Sequence, residues 1–145
     1  MGEVLHLFLA EVHRHPMREV EEVTTIENRG FQGCVHGRPG SRRQVLLMDI
    51  ETLDHLGVAP GMVKENITTR GLDLARLREG DRLRIGEAMI EVTVPCHPCH
   101  RMDEIRPGLQ ETLRGRRGML CRVVAAGRIR RGDAIEVLDY RRLGI

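Results

Sequence analysis

Sixteen glycines divide this 145-residue chain into short pieces, at intervals of about ten residues over much of its length. Between them lie short runs rich in β-branched and apolar residues. Val4 to Leu9, Gln44 to Met48 and Glu65 to Thr69 read as extended, the last ending at Gly71. Arg82 to Gly86 and Ala88 to Val94 read as a hairpin around Gly86-Glu87, and Met119 to Val124 and Ile135 to Leu138 as the last strands. Few helices fit between such breaks; Asp49 to Leu56 reads as one short helix. Many short strands joined by regular turns predict a barrel or sandwich, and we expect a mostly-β barrel with a few short helices. The length suits a single domain over 1–145 with one core.

Two segments echo each other. Leu77 to Ile85 and Gly127 to Val137 each place Gly-Asp before an alternating strand. Glycine permits positive φ and aspartate accepts bonds from nearby backbone amides, so Asp81 and Asp133 are assigned to turns.

The charge balance narrows the function classes. The formal net charge of +2 is too small to argue for general nucleic-acid binding, and with one Tyr, two Phe and no Trp the stacking platforms of single-strand binders are missing. Nucleic acid is therefore not an expected partner. No apolar run reaches membrane-spanning length, and Met1 to Ala10 carries Glu3 with no small-residue cleavage site, so neither a membrane nor a signal peptide is expected. Four cysteines in such a chain suggest metal or redox use in a cytoplasmic protein more than a disulfide framework. The cations are nearly all arginine, with Lys64 the single lysine. Genome composition explains that bias, as does a need for planar, bidentate anion contacts.

Chemistry concentrates in Pro95-Cys96-His97-Pro98-Cys99-His100-Arg101-Met102, with two thiols and two imidazoles within five residues. Zinc is one reading: Cys96 and Cys99 have C-x2-C spacing, and Cys34 with His36 would complete a Cys3His site, making a zinc-stabilised binding module. Zinc deamination fails because Cys34-Val35-His36 has histidine where the catalytic glutamate belongs. A thioredoxin-like dithiol needs a long helix, which Pro107 and Gly108 curtail. Cys96 reads either as a thiol that resolves a persulfide on Cys99 or as a small buried residue. His97 and His100 read as exposed turn residues, and Cys121 as core. Other candidate pieces are the glycine loop from Gly30 to Gly37, Ser41-Arg42-Arg43-Gln44, and Pro60 to Thr69. In the second, Arg42 reads as a solvated charge pair.

In order, the loop with His36, Arg43-Gln44-Val45-Leu46-Leu47, Pro60-Gly61 through Glu65-Asn66-Ile67-Thr68-Thr69-Arg70-Gly71, Gly80-Asp81, Pro98-Cys99, Arg117-Gly118 and Gly132-Asp133 resemble the MOSC domain, found at the C-terminus of molybdenum cofactor sulfurases and in small stand-alone bacterial proteins. The resemblance runs from about Gly2 to Val137. It implies a β-barrel with a cleft for the molybdopterin form of the molybdenum cofactor. It implies Cys99, not Cys96, as persulfide carrier or molybdenum ligand, Arg43 and Arg117 facing the cofactor phosphate, and His36, Asn66 and Thr68 lining the cleft. Pyridoxal phosphate is not bound by this domain alone. An expected reaction is reduction of N-hydroxylated substrates. The partner is then an external electron-transfer reductase, since the chain lacks flavin, nicotinamide and iron–sulfur motifs, or a cysteine desulfurase for sulfur supply. One departure is Cys34, where the family usually has the aspartate of Gly-Asp-x-His; it raises the expectation that Cys34 meets Cys99 or Cys96 through a metal or a disulfide. A degenerate member that only binds an anion is the remaining alternative.

Overall fold

The runs between glycines become strands that close on themselves. In the computed structural model, which describes residues 2–116 and 118–138, β1 (Gly2–Leu9), β2 (Arg18–Val20), β3 (Glu22–Ile26), β4 (Gly30–Phe31) and β5 (Val45–Asp49) lead into helix α1 (Ile50–Leu56). Next come β6 (Ile67–Arg70), a 3-10 turn at Leu74–Arg76, β7 (Arg82–Ile85) and β8 (Ala88–Pro95). Two one-turn helices, α2 (Met102–Ile105) and α3 (Leu109–Thr112), precede β9 (Met119–Ala125), β10 (Arg128–Arg130) and β11 (Ala134–Leu138). The barrel has seven strands in the order β11-β7-β8-β9-β5-β6-β1 and is closed by β1 pairing with β11. Closure leaves these strands no open edge. A smaller sheet, β10-β3-β4, stands beside it.

The pairing is antiparallel except between β5 and β6, which run parallel. A parallel pair needs a long crossover, and residues 50–66 with α1 supply it. Asp49 starts that helix by accepting the Thr52 amide at 3.0 Å, and Gly57 ends it at φ 68°. The expected hairpin is present, with Ile85 opposite Ala88 across Gly86-Glu87. Both Gly-Asp pairs are turns of one design. Asp81 accepts the Arg78 amide at 2.8 Å, and Asp133 the Arg130 amide at 2.7 Å.

Strand β5 explains the layout of everything outside the barrel. Its run Val45-Leu46-Leu47-Met48 is buried on both faces. Val45 and Leu47 face the barrel core with Leu7, Ile67, Ile90 and Val123, while Leu46 and Met48 face outward. Side chains alternate along a strand, so the outward pair needs its own cover. Met48 is covered by a second cluster that includes Leu53, Met102 and Leu109 from the three helices and Leu113 just after α3. Leu46 is covered by Cys96 and Leu120. Arg106 on the α2–α3 connection donates to the Leu56 carbonyl at 2.6 Å, which ties that excursion to the end of α1. No helix among the described residues is long and apolar enough to cross a membrane.

Where the excursion returns to β9, the backbone comes very close to β5. Gly118 has φ 106°, its carbonyl accepts the Cys96 amide at 3.0 Å, and a Cβ there would lie 2.0 Å from the Leu47 carbonyl oxygen. Gly118→Ala therefore combines a disfavoured backbone with a backbone clash and should cost about 2–4 kcal/mol of stability, read as a lower urea midpoint. A midpoint equal to wild type would show that the two strands separate without penalty.

Candidate functional site

Beside the outward face of β5 lies a cleft of about 350 Å³. Its floor holds Leu46 and Leu120, and its walls carry Arg38, Arg43, Lys64, His13 and His36. No carboxylate lines it among the described residues. Elsewhere arginines are paired: Arg70 with Glu3, Arg82 and Arg122 with Glu91, Arg131 with Glu21. Arg38, Arg43 and Lys64 make no ion pair with any described residue. Cations gathered in a cleft without acids create a positive field that attracts and orients an anion.

Neutral side chains set the positions of these cations. Gln44 is fully buried; its Oε1 accepts the Val123 amide at 2.9 Å and its Nε2 donates to the Arg38 carbonyl at 3.3 Å. The Arg43 amide donates to Ser41 Oγ at 3.0 Å. Lys64 sits in a left-handed backbone conformation at φ 68°, and its Nζ donates to the His15 carbonyl at 3.0 Å. The glycine loop is anchored by the Val35 amide on the Ala10 carbonyl at 2.7 Å.

Asn66 borders the cleft and fastens three segments. Its Oδ1 accepts the Leu46 amide at 3.0 Å, and its Nδ2 donates to the Phe8 carbonyl at 3.3 Å and to Cys34 Sγ at 3.4 Å. It is 1% exposed, so these bonds have no competition from water.

The expected site residues separate into groups. His36, Arg43 and Asn66 meet at the cleft. Thr68 does not: it is fully buried in β6, and its hydroxyl donates to Glu65 Oε2 at 2.8 Å. Arg117 lies outside the described residues. Arg42 pairs with Glu79, as expected for a solvated charge pair. Of the thiols, Cys96 lines the cleft at 8% exposure, whereas Cys99 is exposed on the segment beyond it and is not among the cleft-lining residues. His97 and His100 are exposed. Cys34 is buried in the main core, and Cys121 is wholly buried, where loss of solvation pushes its thiol far above the usual range.

The zinc set Cys34, His36, Cys96 and Cys99 is not assembled. Among the described residues no group of three or more His, Cys, Asp or Glu side chains is placed to hold a metal ion. Cys34 belongs to the barrel core, Cys96 packs on Leu46 and Leu120 outside it, and Cys99 is exposed. No disulfide joins the four cysteines, so the expected bridge or shared metal from Cys34 to Cys99 or Cys96 is absent from this structure. Sequence reasoning passed over His13 and Arg38. Gln44 and Lys64 fell inside the candidate pieces Ser41-Arg42-Arg43-Gln44 and Pro60 to Thr69 without being given a role.

Asn66→Leu keeps the branching and heavy-atom count of the side chain and removes the bonds. It should cost about 2–4 kcal/mol, because the buried Leu46 amide and Phe8 carbonyl lose partners. Urea denaturation measures this, and a change within 0.5 kcal/mol, roughly that of a surface substitution, would remove Asn66 from its fastening role.

Comparison with known proteins agrees with this architecture. Residues 33–136 match the model of the MOSC domain. The chain is 34% identical over 90 residues to protein YiiM of Escherichia coli (strain K12), an alignment covering 58% of this chain and 39% of YiiM. The matched region thus spans about two fifths of that relative. Among solved structures, the YuaD protein from Bacillus subtilis superposes with a TM-score of 0.79 at 22% identity, covering 94% of this chain and 96% of that one. The Escherichia coli YiiM structure gives 0.75 at 22% identity, covering 96% and 70%. The structural likenesses speak to the fold. The family match covers well over half of the sequence, and the chain belongs to the MOSC domain family.

Proposed function

We propose that this protein binds the phosphate-bearing molybdopterin form of the molybdenum cofactor in the cationic cleft and handles sulfur or molybdenum through Cys99. The observation that carries this reading is the cleft itself, where three cations with no carboxylate partner among the described residues stand beside the Cys96 thiol. That donor set fits the group. Guanidinium and ammonium donors suit phosphate, and thiolate suits a thiophilic metal. Arg43, Arg38 and Lys64 would hold the phosphate, and the family resemblance adds Arg117 as a further phosphate contact. His36 would offer an imidazole to the polar ring system, and Asn66 would keep the cleft wall in place. Cys99 follows β8 by four residues on the segment that borders the cleft at Cys96.

The bound group would supply a redox-active metal centre. The chain's residues would bind it, orient its phosphate and present sulfur. The reaction we propose is reduction of N-hydroxylated substrates, with electrons from an external reductase. Sulfur supply would come from a cysteine desulfurase.

The test is cofactor-loaded expression, followed by elemental analysis and pterin fluorescence. Molybdenum and pterin in equal amounts support the reading; an empty protein that still binds phosphate would make the chain an anion-binding member without chemistry. Arg43→Ala should weaken pterin binding by about 1.5–3 kcal/mol, roughly ten- to a hundredfold, by loss of a charge-assisted bond. Unchanged affinity would exclude Arg43. Cys99→Ser should keep fold and pterin yet lose molybdenum retention or sulfur transfer; full retention of both would exclude Cys99.

A further inference from the structure

Two thiols three residues apart occupy different environments. Cys99 is exposed, where a macromolecule can reach it. Cys96 is 8% exposed, packs against Leu46 and Leu120, and lines the cleft with Arg43 and Lys64. A cleft of about 350 Å³ has the size of a small-ligand site, so the largely covered Cys96 is harder for a protein donor to reach than the exposed Cys99. We propose that Cys99 and Cys96 form a sulfur relay, in which Cys99 takes sulfane sulfur from a protein-borne persulfide and Cys96 receives it inside the cleft. This inference rests on the sulfur-handling reading above and adds a second sulfur-bearing residue and a direction of transfer.

The chemistry balances without an outside oxidant or reductant. The donor's outer sulfur passes to the Cys99 thiolate, giving a Cys99 persulfide and a donor thiolate. The Cys96 thiolate then attacks the outer sulfur of that persulfide. A sulfur–sulfur bond forms at Cys96, the one at Cys99 breaks, and Cys99 leaves as a thiolate that takes up the proton released by Cys96. The sulfane sulfur keeps its oxidation state. The resulting anionic persulfide faces Arg38, Arg43 and Lys64.

The backbone permits the encounter. Three residues of chain span at most about 11 Å, and sulfur contact needs the two Cα atoms within about 7 Å. Cys96 is held by its amide on the Gly118 carbonyl at 3.0 Å, and the Cys99 carbonyl accepts the Met102 amide at 3.0 Å, so the approach falls to the side chains and the residues between them. The intervening residues lie between β8 and α2 in neither strand nor helix, so their closure breaks no ladder.

The experiment exposes the reduced protein to persulfide immobilised on a thiol resin, which reaches only exposed cysteines. Tandem mass spectrometry of peptide 85–101 then locates the added sulfur. In wild type it should appear first on Cys99 and later on Cys96. Cys99→Ser should carry none on Cys96, and Cys96→Ser should hold it on Cys99. The wild-type time course stands by itself if Cys96→Ser fails to fold. Sulfur confined to Cys99 in wild type, sulfur on Cys96 in Cys99→Ser, or sulfur on neither thiol would overturn the relay. The readout needs no pterin. A failed relay with normal pterin binding sinks this inference alone, and an intact relay without pterin binding sinks the cofactor reading alone.

Discussion

The cleft depends on one buried amide side chain. Asn66 precedes β6, yet its side chain bonds the β5 backbone at Leu46, the β1 backbone at Phe8 and the thiol of Cys34. Its own amide and carbonyl are also engaged, with Leu46 and Phe8 respectively. A carboxamide has both donors and acceptors, so it can close gaps that neither a hydroxyl nor a carboxylate could close alone. The glycine loop, the β5 face and the end of β1 are therefore held together at the wall where His36 and Arg43 meet. Each bond contributes modestly, but breaking one leaves a buried polar group without water, and that asymmetry makes the arrangement rigid.

Rigidity matters because the cleft's charges oppose one another. Arg38, Arg43 and Lys64 would separate if their backbones were loose, since among the described residues nothing acidic lines the cleft between them. Gln44 fixes the loop through the Arg38 carbonyl, and the His15 carbonyl holds the Lys64 ammonium. Both anchors are neutral. They position the cations without neutralising them, so the attraction is kept for a ligand. A carboxylate in either place would fix the geometry equally well and cancel the field.

The strands that close the barrel were legible because their buried residues alternate or form short apolar runs: β7 and β8 around Gly86-Glu87, β5 as a run buried on both faces, β9 and β11 near the end. The sheet of β3, β4 and β10 was not. Its strands are two to five residues long, and Thr25, one of its buried positions, is polar and held by bonds to Gly127 instead of by apolar packing. Ion-pair partners and turn aspartates follow from local chemistry and were readable. The cleft was readable at His36, Arg43 and Asn66, which lie in the candidate pieces and in the resemblance alike. Arg38, Lys64 and His13 come from separate turns, and nothing local distinguishes a cation facing a cleft from one facing solvent. Thr68 shows the opposite failure. Its residue type suits a polar ligand, but Glu65 three residues earlier claims its hydroxyl inside the protein.

Depth sorts the four cysteines chemically. Cys121 sits in the barrel core, where forming a thiolate would place an uncompensated charge in apolar surroundings, so it acts as a small apolar residue. Cys34 is 8% exposed, as Cys96 is, but it packs in the barrel core and its sulfur serves as an acceptor for Asn66. Cys96 is at the boundary, packed on Leu46 from one side and open to the cations from the other. Cys99 is outside. Sulfur chemistry requires a thiolate that a donor can approach, which removes Cys121 by burial and disfavours Cys34, which packs in the barrel core, bonds Asn66 and does not line the cleft. The two that remain are those joined by the shortest stretch of chain. That stretch is the segment β5 requires to cover Leu46, so the need to bury an outward apolar face is also what brings a thiol to the cations.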